Sequence, residues 1–531
     1  MTVGYQGAKM TTRGKTVWGF KLTTALAVIV FTSAPVWAQS GARLSDSLRE
    51  HVASGSTASL DLIFHGSADE VRAIAARHGV RVMKILANDA VIRATAAQIQ
   101  ALSAEVDHLS RDVEVTSFMS VTNEAIGADQ VWAGVAGAPG FTGAGIGIAL
   151  IDSGVWTGHR SLAGRVVFAK DFVEDDNKPG SIEDPYGHGT HIGAIIAGSS
   201  PYPQDSTFQT PFRGVAPGAN LISLRVIGAD GSGRASNVIE AIDWVISNRK
   251  RYNIRVINLS LGAPAEQSYR DDPLCEAVER AVHAGIVVVA AAGNRGKDDQ
   301  GRSVHGLIDS PGIDPYVITV GALNTKGTAW RSDDELASYS SKGPTIDGII
   351  KPDLAAPGNK IVSAEALGGS LSVDHAMLHA AGAGEDAYMM LSGTSMSAGV
   401  VSGTVALVLE ANAKLTPAQV KMALQQSATF MPEAGLVGAG AGSLNSAAAV
   451  NAAISGPAIQ STVIGGETVQ STGVMTLDPR TAHALKRRTF GDEILWGDEI
   501  LWGDHIIWGD HIIWGDHIIW DDRIIWGSHI V

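Results

Sequence analysis

The chain has 531 residues, more than one hydrophobic core usually supports, so we expect two or more folded units. Hydrophobic residues make up 45% of it and charged residues 18%, a balance typical of globular proteins. The formal net charge of −14 argues against a nucleic-acid-binding protein. The single cysteine, Cys275, excludes an intramolecular disulfide, and the pattern of residues 273–278 predicts that it is a small buried residue on a helix.

Residues 1–38 predict an export signal. Arg13, Lys15 and Lys21 precede the apolar run 22–34, and Val36-Trp37-Ala38 resembles a small-residue cleavage site. The run is too short for a comfortable membrane span. We therefore expect a mature form without a membrane span that is secreted, periplasmic or on the cell surface. A retained N-terminal anchor is the alternative.

Residues 39–120 predict a small α+β unit. Its order, strand–helix–strand–strand–helix–strand, is ferredoxin-like. The predicted strands are 60–64, 80–86, 90–94 and one near 113–115, and the predicted helices are 68–77 and 96–103. We expect the junction with the next unit between about Val115 and Asn123. A small structural domain that stays attached would give the same pattern.

The unit from 121 to 455 alternates apolar strands with helical patterns, which predicts a parallel sheet with helices on both faces. We expect Thr416 to cap the last long helix, with Pro417 in its first turn. The predicted strands are 146–151, 220–225, 255–260, 286–291 and 316–320, and the predicted helices are 236–249, 274–283 and 416–426.

Three stretches of this unit carry residues suited to acyl transfer. Asp152 closes the apolar strand 146–151, and sites in such sheets gather at the carboxyl ends of strands. His188 lies between two glycines where a helix is predicted to begin. Ser395 lies before the apolar run 400–409, so it is predicted at a helix N-terminus, which favours a developing anion. A serine in a Gly/Ser-rich segment is otherwise an ordinary loop residue.

Asp, His and Ser in that chain order is the order of the catalytic triad of subtilisin. The three stretches Asp152-Ser153-Gly154, 187–191 (Gly-His-Gly-Thr-His) and 393–396 (Gly-Thr-Ser-Met) resemble the corresponding motifs of the subtilisin-like serine peptidases, the subtilases. The resemblance implies a subtilisin-like fold and a serine endopeptidase that cuts proteins or peptides through an acyl-enzyme. It assigns Asp152, His188 and Ser395 as the triad and requires no cofactor for the chemistry.

The resemblance also gives a role to the first unit. In subtilases a domain at this position is a propeptide that assists folding, inhibits the enzyme and is then removed. We therefore expect a self-processed precursor with residues 39–120 as its own intramolecular inhibitor.

Asn294 is the candidate oxyanion donor. A neutral amide held at the end of a strand suits that role, although an Asn after Gly is ordinarily a turn residue. The family has Ala-Ala-Gly-Asn here, which implies Asn294 as one donor and the Ser395 backbone N–H as the other.

Two Gly-containing segments resemble the strands that flank an extended substrate in subtilases, where close backbone approach adds the substrate as a further strand. Ordinary turns after strands are the alternative. Asp309 matches the floor of the pocket for the residue before the cut, where a carboxylate favours Lys or Arg; an exposed loop residue is the alternative. The expected substrate-binding residues are Gly231, Ser232, Gly233, Ser260, Leu261, Gly262, Ala291, Ala292, Gly293 and Thr394.

The sequence departs from the family where Gly399 replaces a proline after the nucleophile, which is expected to loosen the first turn of that helix. We expect His191 to be structural. The acidic residues 175–177 and 183–184 are compatible with a structural Ca²⁺ site through oxygen ligands, and equally with a solvated acidic loop. The sequence therefore leaves the metal content unknown.

Residues 456–490 lack periodicity and predict a linker, with the basic triplet 486–488 as a candidate processing site. Residues 491–531 repeat every six residues, beginning with Gly-Asp-Glu-Ile-Leu-Trp. This favours a stacked β array that self-associates or attaches to a surface. Histidines 505, 511 and 517 are compatible with metal binding, but the repeat itself explains their spacing. A subtilase-fold binding or adhesion protein, with weak or no catalysis and displayed by this tail, is the alternative to a peptidase.

Overall fold

The computed structural model describes residues 43–44, 46–53, 55–85, 89–106, 108–111, 118–173, 183–200, 211–456 and 458–476, with short pieces of the tail at 500–502, 525–526 and 529–530. The chain divides into two compact units, 1–114 and 115–531. The predicted export signal, the basic triplet and most of the repeat tail lie outside the described residues.

The first unit is a five-stranded sheet covered by helices. From Ser59 to Arg111 its elements follow the ferredoxin-like order, and the three strand pairs within that stretch are all antiparallel. The strands in sheet order are Arg43–Leu44, His108–Arg111, Ser59–His65, Asp89–Thr95 and Arg81–Ile85, and the helices are Asp46–Ala53, Ala68–His78 and Ala96–Leu102.

The last strand of this unit differs from the prediction. It is His108–Arg111 rather than a strand near 113–115, and residues 112–117 lie outside the described part. Only Leu109 of this strand is a large apolar residue, and it is completely buried. The strand is therefore fixed by its pairing with 59–65 and by one core contact, which gives the sequence little periodicity to detect.

The second unit contains a mainly parallel sheet, as predicted. Only the edge strand Glu335–Leu336 is antiparallel, and Leu354–Pro357 pairs in parallel with Ile318–Asn324 outside the main order. The main order is Glu335–Leu336, Ile318–Asn324, Val287–Ala291, Ile254–Leu259, Gly147–Asp152, Asn220–Arg225 and Val166–Asp171.

Strand Gly147–Asp152 shows why helices lie on both faces of this sheet. Its buried side chains alternate, so Ile148 and Leu150 enter one core while Ala149 and Ile151 enter another. Helices His188–Ala197 and Thr394–Ala411 contribute to the first core, and helices Ala235–Asn248 and Pro273–His283 contribute to the second. The predicted α/β fold is therefore confirmed.

Smaller elements complete the second unit. Thr416 caps the helix that starts at Pro417, as predicted, and a capping box with Gln419 closes its first turn. The other helices are Phe118–Ala125, Ala128–Ala133, Ser370–Asp374, Pro417–Ser427, Gly435–Ala439 and Ser446–Ser455, with 3-10 turns at Arg160–Leu162, Ala376–Leu378 and Gly384–Asp386. Short strand pairs join Ser199–Ser200 to Phe212–Arg213 and Ala263–Pro264 to Asp309–Ser310, and Tyr388–Leu391 lies between Ile361–Ala364 and His379–Ala381.

Residues 458–476 are folded rather than a linker. Strands Ser461–Ile464 and Glu467–Gln470 form a hairpin in which Ile464 is fully buried. The Glu467 carboxylate accepts the backbone N–H groups of Arg331 at 2.7 Å and Ser332 at 2.9 Å. Strands this short show no periodicity, so the sequence pattern missed them. Val474–Thr476 pairs with Ile500–Trp502, and Ile525–Trp526 pairs with His529–Ile530.

Among the described helices, Thr394–Ala411 alone is long and apolar enough to cross a membrane, and 83% of this helix is buried inside the protein. This is the burial expected of a central core helix.

Candidate active site

Asp152 and His188 are in direct contact. Nδ1 of His188 lies 2.8 Å from Oδ1 of Asp152, which also accepts the Ser153 N–H at 2.8 Å. Asp152 is completely buried at the carboxyl end of the central strand, whereas the imidazole is 15% exposed. Burial of the imidazole opposes its protonation, but the adjacent Asp152 carboxylate outweighs this and raises the pKa of His188 above its usual value. The pair therefore forms a base whose charged form is stabilised by a buried anion.

A second buried carboxylate, that of Asp184, holds the chain on both sides of this contact. Its Oδ1 accepts the Ser153 hydroxyl at 2.8 Å and the Gly187 N–H at 2.7 Å. Its Oδ2 accepts both the N–H and the hydroxyl of Thr190 at 2.7 Å. Asp184 thus links the residue after Asp152 to the residues that flank His188. These four bonds engage both carboxylate oxygens of Asp184.

Ser395 lies in the first turn of helix Thr394–Ala411 and is partly exposed. Its hydroxyl donates to the backbone carbonyl of Ser260 at 3.0 Å, and the Ser260 hydroxyl donates to the Ser395 carbonyl at 2.8 Å. Ser260 directly follows strand Ile254–Leu259, which is the parallel neighbour of the strand that ends at Asp152. The serine and the Asp–His pair therefore lie at the carboxyl ends of adjacent strands.

Helix packing brings the two helices of the site together. Gly399, one turn after Ser395, faces Ile192, one turn after His188: an added Cβ on Gly399 would lie 3.2 Å from an Ile192 methyl carbon. Without the proline, the helix runs unbroken from Thr394 to Ala411. Glycine at position 399, where the family has proline, therefore lets the helix that carries Ser395 pack closely against the helix that carries His188.

Asn294 is oriented by the residue before Ser395. Its side-chain oxygen accepts the Thr394 N–H at 3.0 Å and the Thr394 hydroxyl at 3.1 Å. This leaves the amide NH₂ group available as a donor beside Gly393 and Ser395. Thr394 is completely buried, and its Oγ1 also accepts the Gly293 N–H at 3.2 Å. Its side chain therefore positions Asn294, and Thr394 also contributes to the lining of the cavity beside Ser395.

A cavity of about 290 Å³ opens beside Ser395 and Asn294. Of the expected substrate-binding residues, Ala292 and Ser260 do not line it, whereas the following do: Leu261, Gly262, Ala291, Gly293 and Thr394. Ala292 is buried, and its N–H donates to Val320 in the neighbouring strand. Asp309 also lines this cavity, where its carboxylate forms an ion pair with Arg295.

The segment 231–233 forms an exposed turn. The Asp230 carboxylate accepts the N–H of Ser232 at 3.0 Å and its hydroxyl at 2.7 Å. Gly231 has φ +77°, and an added Cβ would lie 2.6 Å from the Tyr186 ring, so only glycine fits here. The Tyr186 ring in turn lies 6.4 Å from the His188 ring, measured between centroids. The turn is therefore connected to the residues around His188 through one aromatic side chain.

Comparison with known proteins identifies the family of the chain. The model of the subtilase family matches residues 143–457. The chain belongs to the subtilase family. Serine protease AprX of Bacillus subtilis strain 168 is 37% identical over 59% of this chain and 67% of that protein. Subtilisin E of the same strain is 33% identical over 57% of this chain and 66% of that protein. The matches thus span about two thirds of these relatives, and the chain is a subtilisin-like serine endopeptidase.

The crystal structure of a cold-adapted subtilisin-like serine proteinase is also similar, at 32% identity over 57% of this chain and 88% of that chain, with a TM-score of 0.41.

Three further predictions about the subtilase unit concern residues outside the contacts above. His191 is buried, with its Nε2 3.2 Å from the carbonyls of Ile361 and Met389, and burial lowers the pKa of His191 to about 3. It is a neutral structural residue, as expected. Cys275 is completely buried, which raises the pKa of its thiol and fits the predicted core role. Within the described ranges, no three His, Cys, Asp or Glu residues group as metal ligands, and residues 175–177 lie outside those ranges.

Sequence reasoning missed the buried polar residues that support the subtilase site. Asn258 is completely buried within its strand, donates to the Ser260 hydroxyl at 2.9 Å and accepts the Ser402 hydroxyl at 2.8 Å. It therefore fixes both Ser260 and the helix that carries Ser395. A single amide inside the apolar run 254–259 was the available signal, because a buried polar side chain needs partners. Asp184 and Arg295 gave no comparable signal.

Proposed function

We propose that this subtilase hydrolyses peptide bonds with Ser395 as nucleophile, His188 as general base and acid, and Asp152 as the carboxylate that orients the imidazole. Ser395 attacks the substrate carbonyl carbon as its proton passes to Nε2 of His188, giving a tetrahedral oxyanion. Collapse of this intermediate expels the amine, which receives the proton from His188. Water then hydrolyses the acyl-enzyme by the same steps.

The observation that carries the proposal is the 2.8 Å contact between His188 Nδ1 and Asp152 Oδ1. Held this way, the ring keeps its Nδ1 proton on the carboxylate side and leaves Nε2 free to accept a proton. The Ser395 hydroxyl donates to the Ser260 carbonyl in the free protein and must rotate away from it to be activated. Apo sites commonly tighten only when substrate binds.

The oxyanion is stabilised by the Asn294 side-chain amide and the Ser395 N–H. Both Thr394 donors engage the Asn294 oxygen, which supports the amide NH₂ as the group that faces substrate. Segments 231–233 and 260–262 bind the substrate backbone, and the cavity beside Ser395 receives the side chain before the cut. The mechanism uses no cofactor.

The precursor model follows from the order of the units. We propose that residues 1–38 direct export, that residues 39–120 inhibit the enzyme and are removed by its own activity, and that the mature protein acts outside the cytoplasm. The ferredoxin-like order of the first unit supports this role. The repeat tail is proposed to associate with other copies or with a surface.

Phenylmethylsulfonyl fluoride labelling tests the proposal. We expect a single adduct at Ser395, loss of casein hydrolysis, and neither adduct nor hydrolysis in Ser395→Ala. The intact mass of that variant should include the first unit, and N-terminal sequencing of wild type should place the cut near 115–123. An unlabelled Ser395 with no casein hydrolysis would favour the binding or adhesion protein instead. Normal removal of the first unit from Ser395→Ala would refute self-processing.

A further inference from the structure

The cavity beside Ser395 contains two opposite charges. Its walls are formed by small or apolar residues, including Leu261, Gly262 and Ala291, and it also reaches Arg295 and Asp309. On the proposed function, this cavity receives the side chain before the cut. A pocket of about 290 Å³ has room for a large side chain, so the charged pair rather than space decides which one is accepted.

Arg295 directly follows Asn294 in the chain, and its side chain covers the carboxylate of Asp309. Its N–H donates to the Ser341 hydroxyl at 3.0 Å, which fixes its backbone, and its Nη2 donates to Oδ1 of Asp309. The Asp309 side chain is 15% exposed and that of Arg295 is 38% exposed. The Arg295 guanidinium is therefore the more accessible member of the pair, and it covers an anion that is mostly enclosed.

We propose that Arg295 is a specificity-determining residue that neutralises Asp309, so that the pocket accepts uncharged side chains and rejects Lys and Arg. This rests on the proposed function. A basic side chain entering the pocket has to displace the Arg295 guanidinium or bury a second cation beside it, and an unpaired buried charge is costly. The result is the reverse of the preference that Asp309 alone would give.

The test is the ratio of kcat/KM values for matched p-nitroanilide peptides that end in Arg, Phe or Glu. Wild type should cleave the Phe peptide at least tenfold better than the Arg peptide. Arg295→Met, which keeps the length and removes the charge, should raise the Arg/Phe ratio at least tenfold. The assay is run at pH 8.5, because burial raises the pKa of Asp309 and its partner is lost in this variant.

Three further variants make the result specific. Arg295→Lys keeps the positive charge and still pairs with Asp309, although less well than arginine does. It should therefore leave the Arg/Phe ratio within about threefold of wild type. Arg295→Met/Asp309→Asn should lose the gain. Asp309→Asn alone frees the Arg295 guanidinium and should raise the Glu/Phe ratio at least fivefold, which decides the matter if Arg295→Met fails to fold.

An unchanged Arg/Phe ratio in an Arg295→Met protein that still cleaves the Phe peptide would overturn the inference, and so would a wild type that prefers the Arg peptide. Either result leaves the proposed peptidase function intact. A wild type that cleaves none of the peptides would overturn both.

Discussion

Replacing Asp184 by Asn tests whether this buried carboxylate holds the catalytic residues in place. Asn is nearly isosteric but retains only one acceptor oxygen, so two of the four donors now bound to Asp184 lose their partner. A hydrogen bond to a charged group contributes roughly 1.5–3 kcal/mol, which gives a gross loss of about 3–6 kcal/mol. Burial raises the pKa of Asp184, so removing the charge recovers part of this. We expect a net loss of about 2–4 kcal/mol in the free energy of unfolding.

Stability is measured by urea unfolding in a Ser395→Ala background, which prevents self-digestion. Activity is measured separately in the otherwise wild-type enzyme, where displacement of His188 should lower kcat about 10- to 100-fold with little change in KM. Glu183→Gln is the matched control, because it removes a charge from the exposed neighbouring residue and should change stability by less than about 0.5 kcal/mol. An Asp184→Asn protein with the stability and kcat of its control would refute the reasoning.

Three other substitutions probe separate parts of the molecule. Asn294→Ala should lower kcat about 100- to 1000-fold, with unchanged KM and unchanged labelling at Ser395; a loss below about tenfold would contradict its role as oxyanion donor. Asp152→Asn should lower kcat about 10,000-fold. Because the Asp152 carboxylate raises the pKa of His188, the acidic limb of kcat/KM should lie above pH 6.5 in wild type and move to lower pH in the variant; an unmoved limb would contradict this. Asp314 is completely buried, and burial raises its pKa to about 7. Folding therefore takes up a proton at Asp314 between about pH 4 and 7. Because of this, the contribution of Asp314 to the free energy of unfolding falls as pH rises through that range. Asp314→Asn should therefore lose less stability than wild type between pH 4 and pH 7 in urea titrations, and equal losses would exclude this account.

The sequence predicted the parts of the fold that depend on local pattern. Apolar runs such as 287–291 mark strands buried on both faces, and Thr416-Pro417 marks a helix start, because each signal is contained within a few residues. The hairpin 461–470 carried no such pattern. Its position depends on Glu467 reaching the backbone of Arg331 and Ser332, which are distant in the chain.

The same contrast between local sequence patterns and contacts of distant residues applies to the site. Asp152, His188 and Ser395 were identifiable because family motifs surround each of them, and strand adjacency places Ser395 and the Asp152–His188 pair at the same edge of the sheet. Asp309 was identified by position, but its ion-pair partner Arg295 was not, and we propose that this partner reverses the expected preference. The effect of a carboxylate on substrate choice depends on which cation lies beside it, and that pairing is determined only in the folded chain.

The helix that begins at Thr394 has a consequence for when activity first arises. Among the described helices, it is the one that is long and apolar enough to cross a membrane, and it is buried by the rest of the second unit. Ser395 lies in the first turn of this helix, so its hydrogen bonds with Ser260 form only when the helix is packed in place. On the proposed function, a newly made chain that still exposes this segment has no assembled nucleophile and should not cleave neighbouring chains.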